Sequence, residues 1–244
     1  MINGILIIIA SIIILEFLDI AGLINSVLIP SPFETLSTGF KMIINGTIVD
    51  DFTATFIRVF YAFSISTIMG IPLGLGLGYN KWIYNSFEII IDFLRSIPAT
   101  SVFPIFLLIF GIGDLSKISA SIFAGIFIII FNTAYGVRTS KKHRRLSLEL
   151  IGATRFQIFK HVIFWETLPY IFLGLRNSLS LSLVVIIVTE MFIGSGLGLG
   201  RSIVDFQMVY DLKAMYATVI IVGLLGFFLN YIFVKLETKI LHWK

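Results

Sequence analysis

Long apolar runs alternate with short polar breaks along nearly the whole chain, and the lengths of those runs set the first reading. A run of 18 or more residues with few charges is long enough to cross a hydrocarbon core of about 30 Å as a helix. Six such spans can be drawn, over about Gly4–Ile24, Phe52–Gly78, Phe87–Ile112, Ile118–Val137, Tyr170–Ile193 and Ala214–Val234. After the first, a polar linker opened by Pro30-Ser31-Pro32 leads into a short amphipathic helix around Glu34–Ile44. The longest polar interruption, about residues 139–168, separates the fourth span from the fifth. The pattern predicts an all-α polytopic membrane protein, a single transmembrane domain over 1–244 with six helices. The apolar N-terminal run lacks a basic leader and is followed by Glu16 and Asp19, so it reads as a retained span rather than a signal peptide.

Composition narrows the class. With 57% hydrophobic and 13% charged residues, the chain has about half the charge of a soluble domain. The pI near 9.3 does not indicate nucleic acid, because the basic residues sit mostly beside spans. There is no cysteine, and His143, His161 and His242 lack metal-ligand spacing, so disulfide, thiolate and metal chemistry have no sequence basis. With the basic loop inside, Lys81, Arg138, Lys141, Lys142, Arg144, Arg145, Arg155, Lys160, Lys235, Lys239 and Lys244 all fall inside. Only Lys41, Lys117, Arg201 and Lys213 fall in outer loops. That asymmetry predicts cytoplasmic termini in a plasma or inner membrane.

Within the spans, Gly70, Gly74 and Gly78 form a small-residue ladder that permits close helix approach. It suits a subunit seam or, more commonly, packing within the chain. Pro98 and Pro104 interrupt the third span, which is expected inside the bundle, where freed carbonyls find partners. Ionisable residues in spans are Arg58, Glu88, Asp92, Arg95, Arg176 and Glu190. Asp92 and Arg95 are placed to pair with each other, and Arg58 and Arg176 to snorkel. Glu190, on a flank with Ser182 and Thr189, marks a candidate translocation pathway, with polar packing between helices as the competing reading.

The basic loop has internal order. Gly152 can adopt the left-handed conformation that ends a short helix through Leu148-Glu149-Leu150. Thr154 and Gln157 have capping-box spacing, so a second helix should begin near Arg155, with Phe156, Phe159, Val162 and Ile163 on one face. From the residues alone two roles stand open: a docking hairpin for a soluble partner, or a helix lying on anionic lipid. No phosphate-binding Gly-x-x-x-x-Gly-Lys-Ser/Thr loop occurs, so this chain is not expected to hydrolyse nucleotide. The glycine-rich run Gly194–Gly200 follows a span rather than a strand and reads as a flexible outer loop.

The stretch from Asn132-Thr133 through Gly136-Val137-Arg138, Gly152-Ala153 and Leu168-Pro169 resembles the cytoplasmic coupling loop of binding-protein-dependent ABC transporter permeases. Leu94-Arg95-Ser96-Ile97-Pro98, Pro104, Phe110-Gly111-Ile112-Gly113, Arg176, Glu190 and Gly196-Leu197-Gly198 are similar to the sulfonate, taurine and nitrate permease subfamily. So is Pro30-Ser31-Pro32, and the resemblance covers nearly the whole chain. It implies a type I ABC importer permease-like fold and a non-catalytic subunit without cofactor, ATP being bound by a partner ATPase. It also implies a periplasmic or lipid-anchored substrate-binding protein and a second permease copy, giving a homodimer in membrane lipid. On this resemblance Glu149, Gly152, Ala153, Thr154, Phe156, Phe159 and Lys160 couple to the ATPase. The solute would be of the sulfonate, taurine, nitrate, bicarbonate or thiamine-precursor pyrimidine class. Two departures stand out: Leu146 and Leu148 replace the family's loop glutamate and alanine, and Trp165 replaces a common proline. The alternative is a secondary transporter or channel working without an ATPase. An intramembrane enzyme finds no paired-carboxylate, Ser/His or metal constellation.

Overall fold

The computed structural model describes residues 2–23, 25, 28–140, 142–193 and 196–242. Ile24, Lys141, Gly194, Ser195 and Lys244 lie outside the described residues. The described secondary structure is entirely helical: α1 Ile2–Ile20, α2 Pro32–Ile44, α3 Val49–Tyr79, α4 Lys81–Ser96, α5 Ala99–Phe110 and α6 Asp114–Thr139. Then follow α7 Lys142–Leu150, α8 Arg155–Ile158, a π-helical turn Phe159–Ile163, α9 Phe164–Phe192, α10 Leu199–Met208 and α11 Leu212–Ile240.

Among the described residues four helices are long and apolar enough to cross a membrane: Val49–Tyr79, Asp114–Thr139, the continuous Arg155–Phe192 and Leu212–Ile240. A fifth counts only if α4 and α5, bent by 89°, make one span. Against the six spans expected from the sequence, four or five helices of the described residues meet this measure, and α1 forms where the first span was expected. The bend has a local cause. Pro98 disfavours helical geometry at Ile97, which sits extended at φ −75° and ψ 121°. Lys117, expected in an outer loop, is instead buried in the first turn of α6, which starts earlier than its apolar run. The flexible loop expected around Gly194–Gly200 gives way at Leu199 to α10, an element the sequence reading did not contain.

The described residues form two compact units, 1–55 with 190–225, and 56–189 with 226–244. In the first, α2 begins at Ser31, whose hydroxyl receives the Glu34 amide at 3.4 Å and donates to Glu16 at 2.9 Å. Glu34 pairs with Lys213 of α11 at 2.9 Å, and a Cβ at Gly39 would touch Ala217. In the second, α3 lies directly on α6. A methyl on Gly70, Gly74 or Gly78 would come within 2.9, 2.6 or 2.7 Å of Ile129, Thr133 or the Ala134 carbonyl, so the ladder is a seam within the chain. Ile129, Ile171 and Leu175 form a core between α6 and α9, joined by Phe63 and Phe233. Arg58 does not snorkel as expected: it is buried and pairs with Asp114 at 2.8 Å. Arg176 likewise turns to Asn230, at 2.9 Å.

Candidate functional site

The basic loop folds as a capped hairpin. Gly152 sits at φ +79°, the left-handed geometry that glycine tolerates without a Cβ penalty. The Gly152 amide donates to the Glu149 carbonyl and the Ala153 amide to the Leu148 carbonyl, both at 3.0 Å. This pair of bonds closes the C-terminus of α7 as a Schellman motif. Thr154 then opens α8 with a complete capping box. Its hydroxyl receives the Gln157 amide at 3.3 Å, and its own amide donates to Gln157 Oε1 at 2.7 Å. Leu148 and Ala153 pack on the cluster of Val137, Ile158 and Ile163, which ties the hairpin to the end of α6. Arg145 adds a second tie, donating to the Val137 carbonyl and to Ser140 Oγ, where a cation suits a helix C-terminus.

One expectation needs correction. Phe156 and Phe159 do not share an outward face. Phe156 is 71% exposed, whereas Phe159 is half-buried on the Val137–Ile158–Ile163 cluster and meets Tyr79 edge-on at 6.2 Å. Three residues apart on a helix, the two point about 60° from each other, which leaves Phe159 on the side that meets the cluster and Phe156 on the side that does not. The outward apolar surface instead consists of Phe156 with Leu150 and Ile151, which are 88% and 78% exposed. The sequence reading placed Leu150 in the short helix before Gly152 and gave neither it nor Ile151 a role. Glu149 and Lys160 are exposed flanks of this tip.

The candidate pathway residues are each engaged differently. Ser182 is buried, and its hydroxyl, like those of Ser178 and Thr133, meets no partner among the described residues. Thr189, also buried, donates to the Ile186 carbonyl of its own helix at 2.9 Å. Glu190 is fully buried, and its carboxylate accepts from Thr55 Oγ1 at 2.9 Å and from the Gly200 amide at 3.0 Å. Thr55 Oγ1 in turn receives the Leu199 amide at 2.9 Å. Asp51 takes the Gly198 amide at 2.8 Å and the Ser202 hydroxyl at 2.7 Å. The first amides of α10 are therefore satisfied by side chains from α3 and α9, a two-carboxylate cap that also suits the helix dipole. Asp51 and Thr55 were missed because their partners lie more than a hundred residues away. Gly198 completes the arrangement: a Cβ there would lie 2.4 Å from Glu190 Cδ. Among the described residues no group of three His, Cys, Asp or Glu is placed to hold a metal.

Helices long enough to span a membrane, with a capped polar hairpin between two of them, define an integral membrane protein of all-α class. The chain belongs to the family of binding-protein-dependent transport system inner membrane components, whose model matches residues 67–242. It is similar to a probable ABC transporter permease of Brucella abortus, 26% identical over 220 residues, 90% of this chain and 88% of that one. It also resembles the nitrate import permease NrtB of Synechocystis, 29% identical over 87% of this chain and 80% of that one. The putative aliphatic sulfonates permease SsuC of Bacillus subtilis is 26% identical over 91% and 80%. Among solved structures, the inward-facing MetNI methionine ABC transporter matches with a TM-score of 0.67 at 19% identity. That match covers 79% of this chain and 95% of that one, a likeness of fold.

Proposed function

We propose that the chain is the transmembrane subunit of an ATP-driven importer, docking its ATPase through the hairpin tip of Leu150, Ile151 and Phe156. Gly152, Ala153 and Thr154 hold the tip in shape, with Glu149 and Lys160 at its rim and Phe159 as its footing. The observation that carries this reading is a rigid, doubly capped hairpin presenting large apolar side chains with nothing over them. Such a patch favours a partner protein's groove. The hairpin is cytoplasmic by the distribution of Lys and Arg, which also puts both termini inside. A second copy of the chain encloses the path, and a substrate-binding protein delivers the solute from the other side. Relatives named for nitrate, aliphatic sulfonates and taurine support a small solute. Glu190 acts in transport through α10, whose first turn it fixes, with Ser182 and Thr189 further along the same span.

Phe156→Asp and Ile151→Asp test this. Each tip side chain contributes about 1.5–3 kcal/mol when buried, so each substitution should cut ATPase co-purification by roughly ten- to a hundredfold. Insertion should be unchanged and ATP-dependent uptake lost. Gly152→Val should act similarly by misdirecting the tip. Uptake at the unsubstituted rate in all three would turn the assignment to a secondary transporter or channel.

A further inference from the structure

Hydroxyl side chains on the long helices commonly satisfy themselves. Thr67, Thr139, Thr167 and Thr218 each donate to the carbonyl four residues back, at 2.7–2.9 Å. Ser178 and Ser182, one turn apart on α9, do not. Both are fully buried in the second unit, and neither hydroxyl meets a partner among the described residues. They turn instead toward Gly125 of α6. A Cβ on Gly125 would lie 2.4 Å from Ser178 Oγ, 3.2 Å from Ser66 Oγ of α3 and 3.5 Å from Ser182 Oγ. Three hydroxyl oxygens from two helices thus converge on the one position of a third helix that has no side chain.

The other two hydroxyls of this node are only loosely engaged. Ser66 reaches the Ile122 carbonyl at 3.4 Å, and Ser121, one turn before Gly125, reaches the Ser182 carbonyl at 3.3 Å. All four serines are fully buried, so unpaired hydroxyls here carry the full cost of desolvation. The same burial leaves room for nothing as large as an organic solute. No charged side chain belongs to the node. The two carbonyls at hand lie inside the regular helices α6 and α9, where each already accepts an amide, so a dehydrated cation would find too little compensation. A neutral molecule that both donates and accepts matches a ring of hydroxyls.

We propose that the serine node is a water-binding site, with one or two water molecules joining Ser178 and Ser182 of α9 to Ser66 of α3 beside Gly125. Ser66 and Ser178 stand close enough that one water at about 2.8 Å from each bridges them. Buried water of this kind makes two to four hydrogen bonds and is part of the fold. It holds α9 to α3 across a gap that direct hydroxyl bonds would have to close. α9 continues without a break from the hairpin, so the site lies on the helix that carries the tip. The water site stands whether or not the chain serves an ATPase.

Thermal unfolding in detergent and a density map that resolves ordered water test the site together. Ser178→Ala removes one partner of the water and should lower the melting temperature by about 2–4 °C. An orphaned dry hydroxyl predicts the opposite sign, because a methyl in its place removes an unpaired polar group. The double variant Ser66→Ala/Ser178→Ala should lose clearly less than the two single losses combined, since both serines serve the same water. Ser182→Ala takes the place of Ser178→Ala if that variant does not fold. The map of the unsubstituted protein should show a peak about 2.5–3.0 Å from Ser178 Oγ and from at least one other hydroxyl of the node. Melting should be the same in sodium chloride and in choline chloride. Stabilisation by sodium would replace water with a cation and sink the proposal. So would a rise in melting temperature on Ser178→Ala. A map with no peak, in which the serines bond each other directly or turn back onto their own helices, would overturn it as well.

Discussion

Adding one methyl at Gly198 should unseat the cap of α10. The ideal Cβ falls 2.4 Å from Glu190 Cδ and 2.7 Å from each carboxylate oxygen, and the backbone there is at φ +151°, which side chains rarely adopt. Glu190 cannot swing clear cheaply, because Thr55 and the Gly200 amide hold it at 2.9 and 3.0 Å in a fully buried site. Overpacking costs about 1–3 kcal/mol. Each charge-assisted hydrogen bond lost costs about 1.5–3 kcal/mol more. A total near 3 kcal/mol corresponds to a fall in melting temperature of about 6–12 °C for a chain of this size. Glu190→Gln keeps the volume but turns an NH2 toward groups that are themselves donors, so a loss of one bond, about 1.5–3 kcal/mol, is expected. Thermal unfolding in detergent would measure all of these, with Glu190→Ala and the double variant Gly198→Ala/Glu190→Ala completing a cycle. Removing the carboxylate makes room for the methyl, so the double variant should lose clearly less than the sum of its parts. A Gly198→Ala protein that melts with the unsubstituted chain, or strict additivity in the cycle, would refute the cap as described.

Gly74→Leu should prevent α3 from seating on α6, since even a Cβ would lie 2.6 Å from Thr133 and 2.8 Å from the Ile130 carbonyl. The yield of folded protein in detergent should collapse, and recovery at the normal level would contradict an intramolecular seam. Single cysteines at Ser147 and Lys213 should label from opposite sides of intact cells. Labelling of both by an impermeant reagent added outside would contradict the orientation.

Much of the architecture was legible because local rules governed it. Gly152 and Thr154–Gln157 announce a helix stop and a helix start within three residues, and both formed with the bonds their types demand. Apolar run length located α3, α6, α9 and α11 for the same reason: a bilayer needs length, and length is read directly. What failed depended on distance or on phase. Pro98 was recognised as an interruption, but a break and a kink look alike in sequence, and only packing decides for 89°. α10 was hidden behind a glycine run, although Leu199 and Ile203 share a helical face and Arg201 and Asp205 pair at 2.7 Å. Glu190 stood out as an intramembrane acid, yet its partners Thr55 and Gly200 come from elsewhere in the chain, one of them 135 residues away. The division of Phe156 from Phe159 needed the Val137–Ile158–Ile163 cluster that only the fold assembles, and no residue in Phe159–Ile163 gives warning of the π-helical turn.

That turn also separates two histories within one continuous helix. A π-helical turn accommodates one extra residue in an α-helix, and each residue advances an α-helix by about 100°. Deleting a residue within Phe159–Ile163 would therefore restore regular winding and leave both flanks close to where they stand, whereas the same deletion in a regular stretch would swing one side by that angle. The span from Phe164 onward would keep its registry with α6. The joint is therefore a place where a lineage can gain or lose one residue without re-aiming the hairpin tip or disturbing the transmembrane packing inherited with it.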